Sequence, residues 1–385
     1  MGSIRPRVLL LGLDGFPPSG VTPADTPVLW ALGESGGRAR EGGGADLPST
    51  TYPGFAALLT GRHGSRADRT SPWHGVRTTS HDGLAVPGWA GRRSVRGQTL
   101  LHVARDAGLW AGAILGDHKL HRVLRLGDLT RWPAGGRVPE GAVTDAHGYP
   151  ANAAVRGPLL AAAAADDWDV LFVHLNEVDT LGHDLGPEDP RTIAGRRNTD
   201  ELVGELLEAL RPAWTRTKVM VASDHGMDAV ADLPAIDPAA APGVGGLLDG
   251  WIGDGGAAWV RVRRGADRAA AGEAIASLDG VAGWVPHGTR RLLVLARPGR
   301  RFASSHHRGG VHGSPSTART VAIVGGGHGA VVSIARSIAL RPPHLADWAP
   351  AAAAVLGVPF GVAGQFGVVG PPVLLADDAA ALPGR

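Results

Sequence analysis

Three strand-like apolar runs in this sequence each lead into side chains that are common metal ligands. The runs and the side chains that follow them are 8–13 with Asp14, 170–175 with Asp179 and His183, and 218–222 with Asp224 and His225. The spacing of Asp179 and His183 is that of two ligands of one ion. Carboxylates are rarely buried unless they are paired or bound to metal, so packing alone does not explain the pattern. We therefore predict a metal site at the carboxyl edge of an α/β sheet.

Strand-like and helix-like runs alternate along the chain, which is typical of a mostly parallel sheet covered by helices. The predicted helices are 26–32, 100–107, 159–165 and 199–210, and the predicted strands are 8–13, 110–115, 169–174 and 219–222. The predicted fold class is α/β, with a central, mostly parallel sheet flanked by helices on both faces. The chain has 385 residues, and we predict one catalytic domain over 1–385 with a small strand, helix, strand insert over 257–296.

Three long stretches rich in Gly, Pro and Arg interrupt this alternation, at 62–97, 126–148 and 228–256. Long irregular connections inside a compact domain usually serve as lids or binding loops. We expect these loop insertions to form a cap over the metal site.

Composition limits the classes of ligand and partner. With no cysteine, any metal must be held by Asp, Glu, His and hydroxyl groups. The net charge is +2, and the short arginine runs lack interleaved aromatic residues, so no nucleic-acid partner is expected. The apolar run 8–13 is too short for a signal peptide, and no run has the length of a membrane span. We therefore expect a cytoplasmic protein without membrane contact.

A candidate nucleophile lies between the first and second ligand-bearing runs. Thr51 precedes Tyr52, Pro53 and an apolar helix-like run that ends at 61. A hydroxyl at a helix amino terminus is well placed beside a phosphate or a developing oxyanion. A threonine in that position is more often a plain helix cap. The predicted metal ligands on either side favour the functional interpretation.

Taken together, these motifs resemble the nucleotide pyrophosphatase and type I phosphodiesterase branch of the alkaline phosphatase superfamily. The matching segments run in the order of the family and are 13–16, 26–32, 48–61, 179–187, 223–227, 312–314 and 347–359. Each segment alone is weak evidence, whereas their order along the chain is specific.

The resemblance implies two divalent metal ions, with zinc favoured and manganese as the alternative. It assigns Asp179, His183 and His312 to one ion, Asp14, Asp224 and His225 to the other, and Thr51 as the nucleophile. Two cations about 4 Å apart can activate a hydroxyl and stabilise an in-line displacement at phosphorus. His306, His307 and His328 are alternatives to His312, which is preferred because His-Gly-Ser and a following apolar run match the family.

The resemblance predicts a hydrolase of phosphodiesters or nucleotide phosphoanhydrides that acts through a phosphothreonine intermediate. Two positions depart from the family, since Thr79 and Gly54 stand where asparagines are usual. The segment 116–120, which contains Lys119, resembles a loop of the phosphonoacetate hydrolases. A phosphomonoesterase or a carbon–phosphorus hydrolase is therefore the alternative, and a catalytically silent binding module is a third hypothesis.

The expected partner is a small phosphorylated substrate such as a nucleotide. Thr79, Lys119 and Trp73 are the predicted substrate-binding residues, and Trp89 and Trp251 are further candidates for stacking. The sequence leaves the oligomeric state open.

Overall fold

The computed structural model describes residues 5–64, 73–78, 93–165, 167–303 and 308–361. Four residues named above lie outside the described residues: Thr79, Trp89, His306 and His307.

The strands and helices follow the alternation that the sequence predicts. The strands are β1 (Arg7–Leu13), β2 (Gly37–Arg38), β3 (Gly43–Gly44), β4 (Ala111–Leu115), β5 (Thr130–Trp132), β6 (Val170–Leu175), β7 (Thr217–Ser223), β8 (Asp228–Ala229), β9 (Leu248–Asp254), β10 (Ala257–Val262), β11 (Val281–His287), β12 (Arg291–Ala296), β13 (Gly310–Val311), β14 (Arg319–Thr320) and β15 (Ala322–Gly325). The helices are α1 (Pro27–Ser35), α2 (Thr51–Thr60), α3 (Leu100–Asp106), α4 (Leu120–Val123), α5 (Asn152–Ala164), α6 (Glu177–Leu185), α7 (Pro190–Ala209), α8 (Arg268–Ala276), α9 (Ala330–Leu340) and α10 (Trp348–Leu356).

The central sheet has seven strands in the order β2-β15-β7-β1-β6-β4-β5. The five strands from β7 to β5 are parallel, while β15 runs antiparallel to both of its neighbours. Because β7, β1 and β6 are adjacent and parallel, their carboxyl ends lie side by side at one edge. The predicted, mostly parallel α/β sheet is confirmed.

Both faces of the central sheet are covered, as β1 illustrates. Every residue of β1 is buried. Val8 and Leu10 pack into a core with α2, α3 and α10, whereas Leu9 and Leu11 pack into a second core with α1, α5 and α7. Successive side chains of a strand point to opposite faces, so a continuous apolar run is required when helices cover both faces.

A smaller antiparallel sheet, which we call the small sheet, has the order β11-β12-β10-β9. One of its faces packs on α8, and on the other Leu47 packs against Trp259 and its neighbours. The prediction that 228–256 is irregular was wrong over β9. Its sequence is rich in Gly and Asp, which disfavour strands, and it is held by pairing with β10.

Two helices are longer than their sequence patterns indicate. The helix predicted at 159–165 begins at Asn152 and contains Pro158, and the helix predicted at 199–210 begins at Pro190. Both extensions begin with segments of weak apolar periodicity, and the Asp189 side chain caps the second by accepting from the Arg191 N–H. Within the part of the chain that the structure describes, no helix combines the length and hydropathy needed to cross a membrane.

Candidate active site

The three carboxylates predicted as metal ligands lie at the carboxyl edge of the central sheet. Asp14 follows β1, Asp224 follows β7, and Asp179 lies in the first turn of α6, directly after β6. The strand order places Asp14 between the other two. All three side chains are buried.

Two of the predicted imidazoles lie beside these carboxylates. His183 is one helical turn after Asp179 on α6, and its Nε2 lies 3.5 Å from Asp179 Oδ1. Nε2 of His225 lies 3.2 Å from Asp224 Oδ2 and 3.6 Å from Asp14 Oδ1. The structure therefore brings together both Asp–His pairs that the sequence singled out.

His312 follows β13 and joins the same cluster. Its Nε2 lies 3.0 Å from Nε2 of His183, and its ring stacks on that of His225 with centroids 3.7 Å apart. His328, in contrast, lies at the amino end of β7, where its N–H donates to the carbonyl of Thr217. We call the six residues Asp14, Asp179, His183, Asp224, His225 and His312 the Asp14 group.

The three imidazoles of the Asp14 group have the same hydrogen-bonding direction. In each, Nδ1 donates to a carbonyl oxygen, and the pairs are His183 with Gly310 at 3.1 Å, His225 with Gly226 at 2.9 Å and His312 with Ser49 at 3.1 Å. A neutral imidazole that donates from Nδ1 has its lone pair on Nε2. The Nε2 lone pairs of His183 and His312 face each other, an arrangement that a cation between them would stabilise.

The electrostatics of the Asp14 group also favour a cation. Burial raises the pKa of Asp14 well above its ordinary value, and raises the pKa of Asp179 and of Asp224 to about 7. Burial lowers the pKa of His183 to about 3, so this imidazole is neutral. Among the described residues, Asp179 Oδ1 and Asp224 Oδ2 accept no hydrogen bond. Buried acceptor atoms without donors suit a bound metal ion.

Two overlapping sets within the Asp14 group have ligand atoms close enough to hold one ion each. They are Asp14, Asp224 and His225, and Asp179, His225 and His312. His225 belongs to both sets, whereas the family resemblance assigns it to one and gives His183 to the other. Asp and His ligands without cysteine suit zinc or manganese.

Thr51 is the first residue of α2, and its hydroxyl faces the Asp14 group. Its Oγ1 lies 3.3 Å from Nε2 of His225 and 3.5 Å from Oδ1 of Asp14. The departure from the family at Gly54 has a steric reason, since a Cβ at Gly54 would lie 2.7 Å from the Cβ of Asp224. The first turn of α2 thus packs directly on the end of β7.

The predicted substrate-binding residues lie in two places. Lys119 donates to the hydroxyl of Tyr149 at 3.0 Å. Burial raises the pKa of Tyr149, and the nearby charges of Asp117, Asp179 and Asp14 raise it further, so the Lys119–Tyr149 pair lies near the Asp14 group. Trp73 instead stacks under the guanidinium of Arg77 at 5.1 Å and of Arg96 at 5.4 Å.

Trp251, the remaining candidate for stacking, packs against Phe302 with ring centroids 6.1 Å apart. Its ring thereby contributes to the core of the small sheet.

Sequence reasoning missed two residues behind the predicted ligands. His174, in β6, donates from Nε2 to Asp14 Oδ2 at 3.0 Å, and its Nδ1 accepts from the N–H of Asp117 at 3.0 Å. The available signal for His174 was a lone imidazole in an otherwise apolar strand. The signal for Asp117 was a carboxylate at the end of a strand, as for Asp14.

A third cluster of Asp and His side chains lies apart from the predicted ligands and consists of Asp46, His63 and His344, which we call the Asp46 group. Nδ1 of His344 accepts from the Ala346 N–H at 3.1 Å. Its Nε2 therefore carries the proton and points at Asp46 Oδ1, 3.4 Å away. This direction suits a hydrogen bond to a carboxylate and leaves no lone pair for a metal ion.

The comparisons with known proteins agree with the fold and with the motifs. Residues 98–287 match the family model described as type I phosphodiesterase/nucleotide pyrophosphatase. Human ectonucleotide pyrophosphatase/phosphodiesterase family member 7 is 28% identical over 244 residues, which are 58% of this chain and 48% of the relative. The chain thus spans about half the length of this curated relative.

Solved structures of one related protein share the fold over nearly the whole chain. Murine ectonucleotide pyrophosphatase/phosphodiesterase 5, an inactive threonine-to-alanine variant in complex with AMP, has a TM-score of 0.64 at 14% identity, covering 94% of this chain and 98% of that one. The human protein of the same name has a TM-score of 0.64 at 16% identity, covering 94% and 97%.

The central sheet and the structural matches define an α/β fold that is shared with ectonucleotide pyrophosphatase/phosphodiesterase 5. The sequence matches are to nucleotide pyrophosphatases and type I phosphodiesterases, the family that the motifs resemble.

Proposed function

We propose that this chain is a metal-dependent hydrolase of phosphodiesters or nucleotide phosphoanhydrides, with Thr51 as its nucleophile. The observation that carries the proposal is the position of the Thr51 hydroxyl, 3.5 Å from Asp14 Oδ1 and 3.3 Å from His225 Nε2. A plain capping role explains this position poorly, because the cap residue of α2 is Thr50.

Two divalent cations complete the proposed site, with zinc favoured over manganese. The residues proposed to hold them are the six members of the Asp14 group. Bound cations would lower the pKa of the attacking hydroxyl and neutralise charge on the phosphoryl oxygens. The unpartnered Asp179 Oδ1 and Asp224 Oδ2 and the Nε2 lone pairs of the imidazoles support this part of the proposal.

The reaction proposed for these residues has two steps. In the first step Thr51 Oγ1 bonds to phosphorus, its proton passes to solvent, and the leaving oxygen departs with the electron pair of the broken bond. In the second step a water oxygen bonds to phosphorus, the Thr51 oxygen leaves and regains a proton, and phosphate or a phosphomonoester is released. Because Thr51 is the first residue of α2, the positive end of the α2 dipole would lie beside the phosphoryl group in both steps.

A nucleotide is the proposed substrate class. The family match and the AMP bound to the murine structural neighbour support it. One observation favours the second candidate, a phosphomonoesterase or carbon–phosphorus hydrolase. The ammonium of Lys119 donates to the hydroxyl of Tyr149, which lies near the Asp14 group. In that position the ammonium suits a small substrate with a second anionic group.

The experiment that tests the proposal compares catalytic efficiencies on a bis-aryl phosphate, the matching mono-aryl phosphate and phosphonoacetate, using purified protein loaded with zinc. A strong preference for the diester supports the first candidate. Dominance of the monoester, or carbon–phosphorus cleavage that is lost in Lys119→Ala, would replace it with the second.

The third hypothesis, a silent binding module, requires a lost ligand or nucleophile. All seven predicted residues are present, which argues against it. Binding of these substrates without turnover in fully metal-loaded protein would establish it. The single catalytic domain over 1–385 and the cytoplasmic location stay predictions from the sequence.

A further inference from the structure

His174 is a polar residue in a strand that is otherwise built for the core. It is the fifth residue of β6, it is 0% exposed, and its backbone pairs with Gly12 of β1 and Leu115 of β4. The ring of Phe55 packs edge-on against its imidazole, with centroids 4.5 Å apart. An imidazole enclosed in this way needs hydrogen-bond partners within the protein.

Two hydrogen bonds determine which nitrogen of His174 carries the proton. The backbone N–H of Asp117 donates to Nδ1 at 3.0 Å, so in the neutral ring the proton is on Nε2. Nε2 then donates to Oδ2 of Asp14 at 3.0 Å. The ring is thus held at both nitrogens and presents one donor to one carboxylate oxygen.

The consequence for Asp14 is that its two oxygens have different roles. Oδ2 is engaged by His174, whereas Oδ1 faces Thr51 and Nε2 of His225 at 3.5 and 3.6 Å. Asp224 is arranged in the same way. The N–H of Gly15 donates to its Oδ1 at 3.2 Å, and its Oδ2 accepts no hydrogen bond among the described residues.

The two carboxylates differ in the kind of group that donates a hydrogen bond to them. Asp224 is oriented by a backbone N–H, which no side-chain substitution removes. Asp14 is oriented by a side chain, so its orientation depends on the identity of one residue.

We propose that His174 is a positioning residue that orients the carboxylate of Asp14 so that Oδ1 is available to a bound cation. The inference rests on the proposed function, because it assigns to Asp14 the role of a metal ligand. Donors behind a metal ligand contribute to metal affinity by restricting the orientation of that ligand.

The test measures zinc affinity by competition with a chelating indicator, together with elemental analysis. His174→Leu removes the hydrogen-bond donor and replaces the imidazole with an apolar side chain of similar size. We expect one of two zinc ions to bind about 10- to 100-fold more weakly in this variant. His174→Gln, which keeps an N–H donor, should recover part of that loss.

His74→Leu is the matched control. His74 is also 0% exposed, and its Nδ1 accepts from a backbone N–H, that of Val76 at 3.2 Å. It is not a member of the Asp14 group, so this variant should keep zinc affinity near the wild-type value even where stability falls. Unfolding transitions of all three variants separate loss of structure from loss of metal.

The outcomes distinguish a failure of the inference about His174 from a failure of the proposed function. If folded His174→Leu binds two zinc ions as tightly as the wild type, the inference about His174 is wrong and the proposed function stands. If His174→Leu does not fold, an affinity of His174→Gln no higher than that of a folded His174→Ala overturns the inference. If the wild-type protein binds no zinc or manganese, the proposed function fails and this inference fails with it.

Discussion

The Asp14 group and the Asp46 group both combine carboxylates with imidazoles, but their hydrogen bonds run in opposite directions. In the Asp14 group the imidazoles donate from Nδ1 to backbone carbonyls, as His183 does to Gly310. Their Nε2 lone pairs therefore face buried carboxylates whose pKa values burial raises. In the Asp46 group, both imidazoles point a nitrogen that can donate at the single carboxylate.

The carboxylate of Asp46 is consequently satisfied by the protein itself. It accepts from Nδ1 of His63 at 2.9 Å and from the N–H of Gly64 at 2.7 Å, and Nε2 of His344 lies 3.4 Å away. Burial acts to raise the pKa of Asp46, but His344 and His63 outweigh it and lower the pKa well below its ordinary value. Residue type and proximity are alike in the two groups, so the direction of the imidazole hydrogen bonds is the feature from which we predict metal binding in the Asp14 group alone.

The largest expected effect is on metal content, which should fall after substitution in the Asp14 group but not in the Asp46 group. Elemental analysis should find about two transition ions per chain in the wild type. Asp224→Ala should lose at least one ion and lower turnover by orders of magnitude, because it removes a buried ligand. Asp46→Ala should keep both ions. Loss of an ion in Asp46→Ala with full occupancy in Asp224→Ala would reverse our assignment of the two groups.

A second test separates the nucleophile from its surroundings. Thr51→Ala should keep its metal ions yet lose turnover by orders of magnitude, since no hydroxyl remains to form the intermediate. Thr51→Ser should keep measurable activity. Thr50→Ala is the control, because Thr50 is equally buried and its hydroxyl has no partner among the described residues. Turnover of Thr51→Ala at the wild-type rate would mean that water attacks phosphorus directly or that the hydroxyl of Thr50 or Ser49 is the nucleophile.

The smallest expected effect concerns pH and the Asp46 group. The hydrogen bond to Asp46 raises the pKa of His63 above its ordinary value of 6.5, and the Asp46 charge adds to this increase against the effect of burial. A histidine whose pKa is raised by folding contributes stability that is fully present below its unfolded pKa and lost as pH rises through the folded value. The difference in unfolding free energy between wild type and His63→Gln should therefore shrink from pH 6 to pH 9.

Urea unfolding at several pH values measures this difference. A difference that stays constant with pH would show that folding does not raise the pKa of His63. His63→Gln should leave the metal content unchanged, which keeps this test independent of the Asp14 group.

The residues that could be predicted from sequence are those governed by local pattern. Asp14 and Asp224 end apolar strands, and Asp179 and His183 are one helical turn apart, so spacing alone brought them into one hypothesis. Thr51 at the start of α2 follows from the helix pattern after Pro53. In the structure these residues lie together because parallel strands end at one edge of a sheet.

The residues that could not be predicted depend on contacts between distant segments. His312 was preferred to His328 only through the family pattern, and the structure places His312 beside His183 and His328 at the amino end of β7. The role of His174 depends on a backbone N–H from the loop that follows β4. β9 has little strand propensity of its own and is formed by pairing with β10.

The adjacency of β7, β1 and β6 has one further consequence, for how this site tolerates sequence change. Neighbouring strands in a sheet lie about 4.8 Å apart, so backbone hydrogen bonding spaces the strand ends that precede Asp224, Asp14 and the helix carrying Asp179. This spacing between strands is the same for any set of core side chains that preserves the strand order. A chain can therefore replace most of its core and surface while the spacing of its strand ends stays constant, and the murine neighbour keeps the fold at 14% identity with a TM-score of 0.64.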